Sequence, residues 1–184
     1  MTDVHGITDL EIDLVQEPEV QHGTDMWRIA RESEALDVNS SYAYLVLCRD
    51  FRQTCRVAVV DGEVAGFVTG YVPTERADTL FVWQVAVDDR YRGRGLASRM
   101  LDDLASDLTQ SHDIRAVETT ITSDNDASQR LFESFAERWN DAVMTREPLF
   151  TADVFPDPHS TEYLYTIGPI VETAVDRSPA TVTA

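Results

Sequence analysis

Apolar positions change their period several times along the chain, most sharply between Leu80 and Leu101. The run LFVWQVAV (80–87) has the length and β-rich composition of a buried strand, although a short apolar run is also compatible with a helix. From Leu96 onward, Leu96, Met100, Leu101, Leu104, Ala105 and Leu108 recur at the spacing of an amphipathic helix. Strand period therefore gives way to helix period within Arg90–Gly95. Before this unit, Glu11–Val15 reads as a weak first strand and Thr24–Arg31 as a short helix capped by Thr24. Ser41–Phe51, capped by Ser40 or Asn39, reads as a second helix with Tyr44, Leu45, Leu47, Cys48 and Phe51 available to a core. Arg56–Val60 and Glu63–Tyr71 flank Asp61–Gly62, a strong hairpin signal, and Pro73 closes the second strand.

Downstream, the pattern predicts a strand over Thr79–Val87, a helix from the arginine loop to Thr109, and a strand over Ala116–Ile121. A helix follows over Ala127–Arg138, with Leu131, Phe132 and Phe135 inward. Val143–Arg146 and Tyr163–Ile167 complete the sheet. The order is α+β, and 184 residues suit one core. One domain is expected over residues 1–172, with a frayed Ser-, Pro-, Thr- and Ala-rich tail over 173–184. The start MTDVHGITDLEIDLVQEP has neither a basic n-region nor an apolar h-region, so no secretion signal is expected. Apolar runs are too short to span a bilayer.

Charge sharpens this picture. The net charge is −18, and all fifteen basic residues are Arg. Acidic side chains are scattered from end to end, so nucleic acid and anionic membranes would be repelled. A cytoplasm of high ionic strength is one setting for such a surface; loss of Lys in a G+C-rich genome is another source of the composition. Cys48 and Cys55 lack metal-ligand spacing and read as small buried hydrophobes in a reducing cytoplasm, with no metal expected.

Against this acidity, Arg90, Arg92 and Arg94 fall within five positions and are interleaved with Gly93 and Gly95. A helix start presents unpaired N–H groups and the positive end of the macrodipole, and glycine lets the main chain approach a ligand. The combination points to a phosphorylated ligand rather than to a merely solubilising turn. It is neither GxGxxG nor GxxxxGK[ST].

Residue by residue, Arg92, Gly95 and Ala97 match the [RQ]-x-x-G-x-[GA] element, and this loop resembles that of the GCN5-related N-acetyltransferases. TTITSDNDASQRLFESF (119–135) resembles the next strand and helix of that family. The resemblance implies a central mixed, mostly antiparallel sheet flanked by helices in αβα layers. It also implies acetyl-CoA as co-substrate, with main-chain contacts from Gln84, Val85, Ala86 and Val87 to the thioester carbonyl. Arg92, Gly93, Arg94, Gly95, Leu96 and Ala97 would hold the pyrophosphate, and Asn125, Ser128 and Phe132 would supply further contacts. Many relatives carry a thiolate-protonating tyrosine where this chain has Phe132.

Four segments, Leu36–Cys55, Gly66–Pro73, Asp78–Val87 and Glu118–Phe132, resemble more narrowly the L-2,4-diaminobutyrate N-acetyltransferases of ectoine biosynthesis. That resemblance implies direct attack of the γ-amine of diaminobutyrate in a ternary complex, and a homodimer. It places Trp27, Asp37, Tyr42, Trp83, His159 and Glu162 in the amino-acid pocket, with His159 and Glu162 the candidate catalytic groups. Carboxylates can hold the two ammonium groups and indoles can pack on the carbon chain. Competing readings are a helix cap for Asp37, plain core for Trp83 and surface for His159. Acetylation of another polyamine or an aminoglycoside-like amine is the alternative activity, and a non-catalytic CoA sensor the alternative class.

Overall fold

A computed structural model describes residues 12–33 and 36–171. Seven strands form one sheet: β1 (Ile12–Gln16), β2 (Arg56–Val60), β3 (Glu63–Tyr71), β4 (Thr79–Val87), β5 (Ala116–Thr122), β6 (Val143–Phe150) and β7 (Glu162–Gly168). Their order is β1-β2-β3-β4-β5-β7-β6. Every neighbouring pair is antiparallel except β4–β5, which is parallel. The four α-helices are α1 (Gly23–Glu32), α2 (Ser41–Asp50), α3 (Leu96–Ser111) and α4 (Asp126–Arg138).

β3 divides its residues between two cores, and a bulge at Ala65, where Ala58 faces Gly66 but Val59 faces Val64, breaks the simple alternation. Ala65 and Val68 join Leu80, Val82 and the inner faces of α3 and α4. Val64 and Phe67 join Met26 and Ile29 of α1 and Tyr44, Leu47 and Cys48 of α2. The apolar stripe of α3 is buried along its whole length, from Leu96 to Leu108. Burying a side chain of this size contributes about 1.5–3 kcal/mol, so this stripe is the main anchor of the loop before α3.

The β2–β3 hairpin turns at Asp61 and Gly62, both at positive φ (52° and 78°), the backbone of a type I′ turn. Ser40 caps α2, its Oγ accepting from the Ala43 N–H at 3.3 Å. Thr24 is not a cap. Residues Val20–His22 form a 3-10 turn that runs directly into α1 at Gly23, so Thr24 lies inside the helix. β6 runs to Phe150, four residues past the expected end. All its residues are exposed or half-buried, so no alternation marks it, and its edge position tolerates Pro148. Glu11 and the expected tail lie outside the described residues. Among the described residues, no helix is long and apolar enough to cross a membrane.

Candidate active site

Parallel pairing of β4 with β5 begins at Thr79↔Ala116 and ends at Val82↔Thr119. Past that point the strands part, and a cleft opens between residues 83–87 and 120–122. On its other side, β4 is bonded to β3 with a shift in register: Gly70 faces Val82, but Thr69 faces Gln84. Trp83 is thus the extra residue of a β-bulge, and its side chain is 46% exposed rather than core.

Two cavities adjoin along this cleft and share Leu36 and Asn125. The first, of about 360 Å³, is bounded by Val85, Ala86 and Val87 of β4, Arg92 and Ala97 of the loop, and Ser128 of α4. Gly93 and Gly95 in its loop sit at φ 76° and 72°. An added Cβ at either would meet nothing within 4 Å, so glycine is required there by backbone conformation and the cradle stays open. Gly95 is the N-cap of α3, and no side chain bonds the first turn. Arg92 lines the cavity and pairs with Asp89 at 2.7 Å. Arg94 lies over the Tyr91 ring at 5.4 Å. Helix-terminal amides and the Arg92 guanidinium suit a pyrophosphate. Arg90 does not join them: its guanidinium bonds Asp88 and Glu63.

The second cavity, of about 390 Å³, is lined by Asp37, Trp83, Asp124, His159 and Glu162, with Thr120 and Thr122 between them. His159 is its pivot. Its ring stacks on Phe155, centroids 3.9 Å apart and planes at 13°. His159 Nδ1 lies 2.6 Å from the Ser160 carbonyl. A carbonyl only accepts, so Nδ1 carries the hydrogen and donates. Nε2 then faces Asp37 Oδ2 at 3.3 Å and Glu162 Oε1 at 3.9 Å. The bond to Ser160 is the largest influence holding His159 above its ordinary pKa; the two carboxylates add to it, and partial desolvation opposes. Burial pushes the Glu162 carboxyl up, opposed by His159 and the Thr120 hydroxyl and reinforced by Asp37 and Asp124. With the imidazole neutral, three acceptors converge on one point, the complement of an ammonium group with three N–H donors.

Placement decides between the competing readings of several residues. Ser40, not Asp37, caps α2; the Asp37 side chain is 94% exposed at the cavity mouth, against His159. Trp27 and Tyr42 fall outside both linings. Trp27 packs on the α1–α2 core with Arg31 over its ring at 4.5 Å, and Tyr42 is 69% exposed. Phe132 and Leu96 are each 2% exposed in the α3–α4 core, so their side chains are core rather than ligand contacts. The Gln84 side chain turns to the acidic cavity: it accepts from the Tyr44 hydroxyl at 2.9 Å and donates to the Asp37 carbonyl at 2.9 Å. Gly93 and Arg94 lie in the loop but outside the lining. Asn125 caps α4, its Oδ1 accepting from the Ser128 N–H at 3.0 Å, at the junction of the cavities. Asp124, a third carboxylate of the acidic cavity, was invisible in the sequence: nothing in its spacing from Asp37 or Glu162 signals their convergence. Cys48 and Cys55 are buried thiols pushed up by burial to about 11 and about 12, inert as nucleophiles.

The acetyltransferase (GNAT) family model matches residues 18–136. The L-2,4-diaminobutyric acid acetyltransferase of Streptomyces coelicolor is 56% identical over 165 residues, covering 88% of this chain and 94% of that protein. Its counterpart in Halomonas elongata is 40% identical, covering 84% of this chain and 80% of that protein. Among solved structures, the diaminobutyrate acetyltransferase of Paenibacillus lautus, in complex with its substrate L-2,4-diaminobutyric acid and coenzyme A, superposes with a TM-score of 0.80. It is 36% identical, over 87% of this chain and 96% of that one. With an arginine- and glycine-rich loop before α3, a strand pair that parts at the bulge, and these relatives, the chain belongs to the GNAT acetyltransferase family, among its diaminobutyric acid acetyltransferases.

Proposed function

We propose that this protein transfers the acetyl group of acetyl-CoA to the γ-amine of L-2,4-diaminobutyrate, the acetylation on the route to ectoine. The observation that carries this reading is the junction of the two cavities. A cradle for a pyrophosphate and a cavity with three carboxylates share one wall at the open end of β4. Diaminobutyrate brings two ammonium groups, and Asp37, Asp124 and Glu162 offset them.

At neutral pH an aliphatic amine with a pKa near 10 is almost wholly protonated, so the site must remove a proton before attack. His159 Nε2, oriented by the Ser160 carbonyl, accepts that proton, and the Glu162 carboxylate stabilises the resulting imidazolium. Bound acetyl-CoA supplies the thioester. The nitrogen–carbon bond forms as the carbon–sulfur bond breaks, and the second nitrogen proton leaves with the sulfur. Along residues 84–87, which β3 pairs on one side only, the main-chain N–H groups that face away from β3 are the donors for charge on the carbonyl oxygen. Trp83 packs on the carbon chain and attracts its cations. No guanidinium lines the acidic cavity among the described residues, so Asn39 and the threonine hydroxyls are left to receive the substrate carboxylate. Arg92, the Gly93–Gly95 turn and Ala97 hold the pyrophosphate, with Asn125 and Ser128 beside the pantetheine arm.

A cytoplasmic homodimer completes the reading. The dimer rests on family resemblance, and the cytoplasm on two free buried thiols and the availability of acetyl-CoA. The test is thiol release from acetyl-CoA against a panel of diaminobutyrate, spermidine and aminoglycosides, with the product's acetylated nitrogen assigned by NMR. Release confined to diaminobutyrate with γ-acetylation supports the reading. Release with spermidine alone, or CoA binding without turnover, overturns it.

A further inference from the structure

Asp88 stands at the end of β4, between the strand and the anion-binding loop, and its side chain is only 6% exposed. It collects four hydrogen bonds. Oδ1 accepts from the Arg90 N–H at 3.0 Å and from Arg90 Nε at 3.1 Å. Oδ2 accepts from Arg90 Nη2 at 2.9 Å and Arg28 Nη1 at 3.0 Å. Its own backbone is pinned too: its N–H donates to the Ala65 carbonyl at 2.9 Å, and its carbonyl accepts from the Tyr91 N–H at 2.8 Å. The Arg90 bonds, the largest influence, hold the carboxyl well below the usual carboxylate range, so it is charged at any working pH.

A buried negative charge beside a pyrophosphate site is unfavourable for anion binding on Coulomb grounds alone. Its partners explain it. Arg90 belongs to the loop whose continuation, Arg92 to Ala97, forms one wall of the coenzyme cavity. Arg28 belongs to α1, which leads into Ser33 and Leu36 on the facing wall. We infer that Asp88 is a positioning residue for acetyl-CoA: its carboxylate clamps the loop to α1 and so fixes the width and the amide geometry of the coenzyme cavity. It touches no substrate itself. The inference rests on the coenzyme reading above.

Charge and geometry predict opposite signs for one substitution. Asp88→Asn keeps the shape and removes a negative charge, so electrostatics alone would tighten coenzyme A binding. The clamp predicts at least a tenfold rise in the coenzyme A Kd by calorimetry, with the loss in KM for acetyl-CoA rather than in kcat. Arg28→Met severs only the α1 arm and should raise that Kd severalfold, with Arg28→Lys recovering most of it. If Asp88→Asn does not fold, the salt dependence of Arg28→Met decides the matter: a loss that persists in molar KCl supports the clamp, and one that salt abolishes is Coulombic and overturns it. Unchanged or tighter binding in folded Asp88→Asn, or in Arg28→Met, overturns the clamp. A wild-type protein that fails to bind coenzyme A overturns the coenzyme reading instead.

Discussion

His159 shows how one backbone contact sets the chemistry of a side chain. Because Nδ1 is committed to the Ser160 carbonyl, only Nε2 is available to the cavity, and its state depends on pH. At low pH, Nε2 carries a proton that pairs with Asp37 and Glu162 and occupies the place of an ammonium. His159 titrates above its ordinary value of about 6.5, so the proton is present below that raised pKa and lost as pH rises through it. The KM for diaminobutyrate should therefore fall as pH rises through this window, while the amines of the substrate stay charged. Asp37 and Glu162 are the carboxylates facing this ring, and Asp124 lines the same cavity. Steady-state kinetics from pH 6 to 8.5, with the acetyl-CoA KM as internal control, would show it; a flat profile, or the same inflection in His159→Gln, would remove His159 from the site. Glu162→Gln keeps the shape but loses the charge. It should raise the diaminobutyrate KM at least tenfold, about 1.4 kcal/mol, and leave the coenzyme A Kd near wild type. A change confined to coenzyme binding would contradict the assignment.

At the scale of elements, β4 does most to define the site, and a bulge is what makes it available. Two hydrogen-bonded partners hold the strand up to Val82; beyond Trp83, only β3 does. Gly70 sits opposite the bulge, where an added Cβ would lie 2.6 Å from the Phe81 carbonyl oxygen and 3.2 Å from Leu80 Cδ1. Gly70→Ala must push the two strands apart. Overpacking of this kind costs about 1–3 kcal/mol, and the cost should appear in thermal melts together with a raised diaminobutyrate KM as Trp83 shifts. Wild-type stability and kinetics in that variant would show the register to be looser than the strand pairing implies. Much of this element pattern was legible in the sequence. The change of period at Arg90–Gly95, the Asp61–Gly62 turn and the inward stripes of α3 and α4 are local signals, each written within a single contiguous segment. The bulge at Trp83 was not, because it arises from the register of β4 against β3, a relation between segments. The acidic cavity was illegible for the same reason. Asp37, Asp124 and Glu162 come from three distant segments, and family resemblance named two of them but not Asp124.

At the scale of the whole molecule, the balance of charge sets the conditions under which this fold is stable. Ion pairs are numerous, but most join exposed groups and contribute about 0–1 kcal/mol each. Arg56 is different. Its side chain is 4% exposed and bonds Asp103 and Asp107 of α3, both at 2.6 Å, tying β2 to that helix. Those two aspartates are one helical turn apart and repel each other when Arg56 is absent. Against these pairs stands a net charge of −18 spread over the surface. Raising ionic strength from about 0.1 M to 1 M shortens the Debye length from about 10 Å to about 3 Å, which screens the long-range repulsion more than the contact pairs. The melting temperature should therefore climb with added KCl. It should climb more steeply in Arg56→Met, where salt must also relieve the Asp103–Asp107 repulsion, and that variant should be less stable in dilute buffer by about 1–3 kcal/mol. Melts of both proteins in low and molar KCl separate the two contributions. A wild-type melting temperature indifferent to salt would mean that local pairing already offsets the acidic surface, and parallel slopes would mean that Arg56 acts through packing alone.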